Sequence, residues 1–167
     1  DRLRKVQLIV LDVDGTLTDG QVHYCNDMTF IKSFHVHDRI GIILAQRAGL
    51  EVAIVTGENT EMIRQRAQRL KIRHLITDCK AKRRAVEDLA SGLHVPMEAV
   101  CFIGDDVMDE EAMIVSGFRA CPSDAAARIQ KLSDYVAGKP GGRGAVREVI
   151  EMILEAQGKP NTLSNLY

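Results

Sequence analysis

The segment Val6-Gln7-Leu8-Ile9-Val10-Leu11-Asp12-Val13-Asp14-Gly15-Thr16-Leu17-Thr18 decides the fold class and the chemistry together. Its first half is a short apolar run, Val6 to Leu11, which reads as a buried strand. The second half turns sharply and carries two carboxylates. In an open α/β sheet ligands gather beyond the carboxyl ends of the strands, which is where this loop falls. Asp12 and Asp14 sit close enough in sequence for their carboxyl groups to share one small volume. Such crowding is unfavourable unless a cation offsets the repulsion or one group keeps a proton. An oxygen-rich set of this kind suits Mg²⁺, which retains several waters and often takes a substrate phosphate as well. A solvated turn would look the same in sequence, because Asp and Gly are common turn formers.

Outward from this loop, apolar runs alternate with amphipathic stretches. Further strands are predicted at Glu51 to Val55, His74 to Ile76, Ala99 to Ile103, Gly117 to Ala120 and Tyr135-Val136. Helices are predicted from Asp38 to Arg47, with Asp38 as N-cap and Gly49 at the C-terminus, and at Thr60 to Leu70 and Lys82 to Leu89. Three more follow at Met108 to Val115, Ala125 to Leu132 and Ala145 to Ala156. Strands alternating with helices imply βαβ units. The fold class is therefore α/β, a doubly wound, mostly parallel Rossmann-like sheet. One segment breaks the rhythm. Val22-His23-Tyr24, a turn at Asn26-Asp27 and Phe30 to Phe34 read as a small β-hairpin inserted after the first strand, at about residues 21–35. The expectation is one domain over residues 1–157, followed by a C-terminal tail over 158–167 that lacks periodicity.

A second acidic cluster follows a second buried strand. Ala99 to Ile103 leads into Gly104-Asp105-Asp106-Val107-Met108-Asp109, again with acids at a strand's carboxyl end. Two such clusters make a solvated turn a poor account of either. Thr56-Gly57 follows Glu51 to Val55, and a hydroxyl with exposed N–H groups can hold a phosphate oxygen. Alone, it is equally a strand-to-helix turn. Lys80-Ala81-Lys82 places a cation just before a helix, where it can balance a nucleophile and a phosphate. Alone, either lysine reads as a surface residue.

Composition narrows the classes. The chain has 167 residues, 46% hydrophobic and 27% charged, with a net charge of -1. No basic excess supports nucleic-acid binding or a membrane-surface role. No apolar run approaches the ~20 residues that span a bilayer. The first residues lack the apolar stretch of a signal peptide, and the sequence opens at Asp1, as a trimmed chain would. Cys25, Cys79, Cys101 and Cys121 are widely spaced, which opposes a zinc site or a disulfide framework and fits a reducing cytoplasm. His35 and His37 alternate as on a strand and read as exposed hairpin histidines. Met108, Met113 and Met152 read as helical core.

In this order, DVDGTLT, TG, a lysine and GDDxxD resemble the four motifs of the haloacid dehalogenase superfamily of phosphotransferases, through nearly the whole chain. The hairpin in place of a cap domain resembles its capless branch. TDGQVHY, IKSFHVHD, GGRGAVRE and EMILEAQGK are similar to the 3-deoxy-D-manno-octulosonate 8-phosphate phosphatase family and its sialic-acid-pathway relatives. The resemblance implies Asp12 as nucleophile and metal ligand. Asp14 becomes general acid/base and offers its backbone carbonyl to the metal. Thr56 and Lys82 bind phosphate, Asp105 completes a Mg²⁺ site, and Asp106 and Asp109 support it. It also implies hydrolysis of a small phosphorylated sugar acid in lipopolysaccharide sugar biosynthesis, and a homotetramer through the hairpin. Gly57 and Glu58 are expected at the substrate. Arg143 can pair with a substrate carboxylate, or belong to a plain glycine-rich turn. Glu58 departs from the basic residue usual in octulosonate phosphatases and leaves a nine-carbon keto-sugar 9-phosphate open. A non-catalytic tetramerisation module is a third reading, opposed by the complete set of acids.

Overall fold

The computed structural model describes residues 2–160 and 162. Its main sheet has six parallel strands: β1 (Leu8–Leu11), β4 (Glu51–Val55), β5 (His74–Ile76), β6 (Val100–Ile103), β7 (Phe118–Cys121) and β8 (Tyr135–Val136). Their spatial order is β5-β4-β1-β6-β7-β8. The chain leaves β1 toward β4 on one side and later returns to β6 on the other. The direction of winding thus reverses at β1, and the crevice at the carboxyl ends of β1 and β6 is the expected ligand site. A two-stranded antiparallel sheet, β2 (His23–Tyr24) and β3 (Phe30–Ile31), forms the hairpin.

Strand alternation supplies two cores. Ile9, Leu11, Val52, Ile54, Cys101 and Ile103 face one side. They pack against Ile42 of α1 (Val36–Arg47), Ile63 of α2 (Glu61–Arg69) and Ile150 of α6 (Ala145–Ala156). Leu8, Val10, Ala53, Val55, Val100 and Phe102 face the other side. There they meet Val86 of α3 (Lys82–Gly92), Met113 of α4 (Glu110–Val115) and Ile129 of α5 (Ala127–Leu132). β1 and β6 are buried along their whole length, so the loops they feed start from a rigid base. Among the described residues no helix is long and apolar enough to cross a membrane.

Several expected boundaries move. Helix α1 begins at Val36 rather than Asp38, with His35 as N-cap accepting the His37 N–H on Nδ1 at 3.2 Å. The two histidines are therefore helix-start neighbours, not strand residues. Asp38 is buried inside the first turn and caps a different helix. Its carboxylate accepts the Gly144 N–H at 3.2 Å and the Arg147 N–H at 2.9 Å, at the start of α6. Tertiary packing has taken a side chain suited to its own helix and spent it on a distant one. Met108 is not core but 63% exposed, and a short 3-10 turn, Val107–Asp109, precedes α4. β7 runs one residue later than expected. Of the tail, only residues 158–160 and 162 are described, where Lys159 N–H donates to the Leu154 carbonyl and closes α6.

Removing the Asp38 cap orphans two N–H groups in a buried place. Asp38→Ala is expected to cost about 2 kcal/mol, while Asp38→Asn, which keeps an acceptor, costs less. Thermal melts of both variants check this.

Candidate active site

Asp12 follows β1 directly. Its N–H donates to the Ile103 carbonyl at 3.0 Å, which stitches the loop to the end of β6. Beyond it the backbone turns at Gly15, whose φ of +85° a side chain would strain. A Cβ there would also lie 2.0 Å from an Asp105 carboxylate oxygen. Glycine is thus the condition for Asp105 to approach the β1 loop. The two threonines hold the turn. Thr18 Oγ1 accepts the N–H groups of Gly15 and Gly20 at 3.2 Å each, and Thr16 Oγ1 donates to Asp105 Oδ1 at 3.3 Å.

Asp12, Asp105 and Asp109 bring one carboxylate oxygen each within 4.8 Å of one another. Lys82, the first residue of α3, reaches in from the side. Its buried ammonium donates to Asp12 Oδ1 and Asp109 Oδ1, both at 2.6 Å. Asp109 Oδ2 accepts the N–H groups of Asp105 and Asp106, fixing the acidic loop. Asp106 is exposed and caps the short turn through the Val107 N–H. Lys80 is exposed, so the helix start selects Lys82.

Burial, then the neighbouring Asp109 charge, push the Asp12 carboxyl well above its ordinary range, despite Lys82. Burial and Asp109 raise Asp105 to about 6. One ammonium therefore does not balance three clustered acids. A hard dication with oxygen preference would, and the donor set fits Mg²⁺.

The cleft has a volume of about 220 Å³ and is lined by Asp12, Asp14, Thr56, Gly57, Glu58, Lys82 and the Asp105–Asp109 loop, including Met108. Thr56 is buried, and its Oγ1 accepts the Glu58 N–H at 3.2 Å. Arg143 is not brought into the cleft. Its side chain is 64% exposed and lies 3.8 Å from Asp19. The glycines around it have a structural reason. A Cβ on Gly141 would lie 1.8 Å from the Gly15 carbonyl oxygen, and one on Gly142 would lie 2.4 Å from the backbone of Thr18. The Gly142 N–H donates to the Thr16 carbonyl at 3.0 Å. This segment braces the Asp12 loop from behind.

Sequence reasoning missed Lys32. Its side chain is 2% exposed, and its ammonium donates to Asp14 Oδ1 and Glu58 Oε2, both at 2.6 Å. Burial disfavours this charge, but Asp14 and Glu58 outweigh it and hold the lysine above its ordinary pKa. The signal was present. Through β3 and the three residues after it, Phe30, Lys32 and Phe34 are the less exposed alternate positions, while Ile31 and Ser33 are exposed.

A family model of haloacid dehalogenase-like hydrolases matches residues 39–117. The 3-deoxy-D-manno-octulosonate 8-phosphate phosphatase KdsC of Escherichia coli K12 is 38% identical over 95% of this chain and 84% of its own. The chain belongs to the 3-deoxy-D-manno-octulosonate 8-phosphate phosphatase family of haloacid dehalogenase-like hydrolases. As a member it is a phosphatase, a phosphoric monoester hydrolase. The Haemophilus influenzae phosphatase in its cobalt-bound form superposes with a TM-score of 0.91 at 37% identity, covering 95% of this chain and 92% of that one. The Moraxella catarrhalis phosphatase, in complex with magnesium, phosphate and KDO, does so with a TM-score of 0.91 at 36% identity, covering 94% and 90%. The α/β fold with its hairpin is the fold of this family.

Metal binding at this cleft competes with protons. With Asp105 at about 6, Mg²⁺ affinity is expected to fall as pH drops through that value. Calorimetric titration with Mg²⁺ at pH 7.5 and 5.5 measures it; equal affinities would contradict the assignment.

Proposed function

We propose that this phosphatase hydrolyses 3-deoxy-D-manno-octulosonate 8-phosphate to the free sugar acid and phosphate, in lipopolysaccharide sugar biosynthesis. The observation that carries the reading is a buried carboxylate at a strand end, Asp12, hydrogen-bonded to a buried Lys82 on the floor of an acidic cleft. The family's printed substrate supplies the sugar acid.

Asp12 attacks phosphorus, forming an acyl-phosphate O–P bond as the ester P–O bond breaks. Asp14 gives its proton to the leaving alkoxide, then takes one from the water that cleaves the aspartyl-phosphate and releases phosphate. The Thr56 hydroxyl, the Gly57 N–H and the Lys82 ammonium hold the phosphoryl oxygens in line. Asp12 and Asp105, with the Asp14 carbonyl, would hold Mg²⁺, which supplies charge neutralisation to the phosphoryl oxygens. Asp109 keeps Lys82 and the acidic loop in place, and Asp106 shapes the same turn. Asp12→Asn is expected to lower phosphate release at least ~1,000-fold, and Lys82→Ala about 100-fold or more. A phosphate-release assay with Mg²⁺ that gave equal rates for wild type and Asp12→Asn would end the enzyme reading.

Glu58 lines the cleft wall, and an acid there in place of the usual base keeps a nine-carbon keto-sugar 9-phosphate as the second reading. Comparing kcat/KM for eight- and nine-carbon substrates decides between them. Arg143 lies outside the cleft of its own chain and stays a candidate for the sugar carboxylate only if that group extends toward Asp19.

The hairpin leaves Tyr24 71%, Met28 79% and Ile31 56% exposed. We propose that it packs on further copies of this chain in a homotetramer, since a two-stranded ribbon with apolar residues is otherwise a liability. Light scattering on a sizing column is expected to give the tetramer; a clean monomer at micromolar concentration would remove this element. Cysteines without disulfides suit a reducing compartment, and we place the reaction in the cytoplasm.

A further inference from the structure

Lys32 is unusual in this molecule. The other residues of its hairpin are exposed or half-buried, yet its side chain is enclosed and its ammonium lies between two acids of two different loops. Asp14 comes from the loop after β1, Glu58 from the loop after β4. Glu58 stands two residues beyond Thr56 and lines the cleft into which a phosphate must come. An uncompensated carboxylate there would repel a phosphate dianion, and the repulsion is stronger in a partly desolvated cleft than in water. Among the described residues, Lys32 is the cation that bonds to either carboxylate. The site's other lysine, Lys82, is committed to Asp12 and Asp109.

We infer that Lys32 is a positioning and charge-balancing residue of the phosphate site: its ammonium neutralises Glu58 and fixes the Asp14 carboxylate, so that a glutamate can stand at the rim without excluding phosphate. The inference rests on the phosphatase reading of the cleft but not on the identity of the sugar. It gives the hairpin a role inside its own subunit. By carrying Lys32 it closes a charge triangle between the two loops, and movement of the hairpin would uncover both acids. Two of the three ammonium hydrogens are accounted for by these bonds.

The experiment is calorimetric binding of inorganic phosphate in saturating Mg²⁺ to wild type, Lys32→Met, Lys32→Arg, Glu58→Gln and the Lys32→Met/Glu58→Gln pair. Lys32→Met is expected to weaken phosphate binding about tenfold, because it leaves Glu58 uncompensated beside the ligand. Lys32→Arg, which keeps the charge, stays within about threefold of wild type. The double variant recovers to within about threefold, because it removes the charge along with its counter-charge. A lysine that merely props up the hairpin would give a double variant no tighter than Lys32→Met. That result, or unchanged binding by Lys32→Met, would overturn the inference. If Lys32→Met alone does not fold, the double variant decides: a loss of tenfold or more against wild type would overturn it. Wild type that fails to bind phosphate at all sinks the phosphatase reading as well. Wild type that binds phosphate but ignores octulosonate 8-phosphate sinks the substrate assignment and leaves Lys32 standing.

Discussion

Like charges must be held together at the mouth of β1 and β6, and the rest of the structure serves that constraint. Asp12, Asp105 and Asp109 would repel one another apart if carried on mobile loops. Here each is fixed by backbone geometry. Asp12 is stitched to β6, Asp105 and Asp106 donate N–H groups to Asp109, and Gly15 opens the space Asp105 occupies. Two fully buried parallel strands supply the stiffness, and the reversal of winding at β1 supplies the crevice. The unresolved part of the charge balance, with Asp12 and Asp105 both raised, is the part a dication completes.

Around this core the cations are placed with economy. Lys82 enters at the first residue of a helix and touches two acids. Lys32 enters from the hairpin and touches two others. Lys82 and both of its acids are buried, so those interactions are little screened by salt, unlike exposed pairs such as Arg84–Asp88, whereas Asp14 and Glu58 leave the Lys32 pairs partly open to solvent. The two lysines offset part of the acid lining of the cleft, and a dication would supply the remainder that a phosphate needs.

Much of this was legible in the sequence because it rests on local rules. The strands Glu51–Val55, His74–Ile76 and Tyr135–Val136 and the helix Ala145–Ala156 fall where the periodicity placed them, and so do the acids after β1 and β6. The geometry gathers Asp12, Asp14, Thr56, Gly57, Glu58, Lys82, Asp105, Asp106 and Asp109 at one cleft. What stayed hidden depended on distant chain. Asp38 looks like an N-cap by residue type, and only the packing of α6 shows which helix it caps. Met108 fits a helical stripe but precedes the helix proper, so it faces the cleft. Lys32 was overlooked because a lysine in a hairpin is ordinarily solvated, and its two partners lie 18 and 26 residues away in sequence.

The brace behind the Asp12 loop has a consequence for how the protein comes into being. Gly141 and Gly142 press on Gly15 and Thr18, and Asp38 ties the next turn of chain to α1. On the ribosome, the nucleophile, both acidic loops and the two lysines emerge well before residues 141–147 do. Until that late segment docks, the front loop lacks its backing. The support of the nucleophile's loop is thus complete only when the C-terminal part of the chain has closed on it.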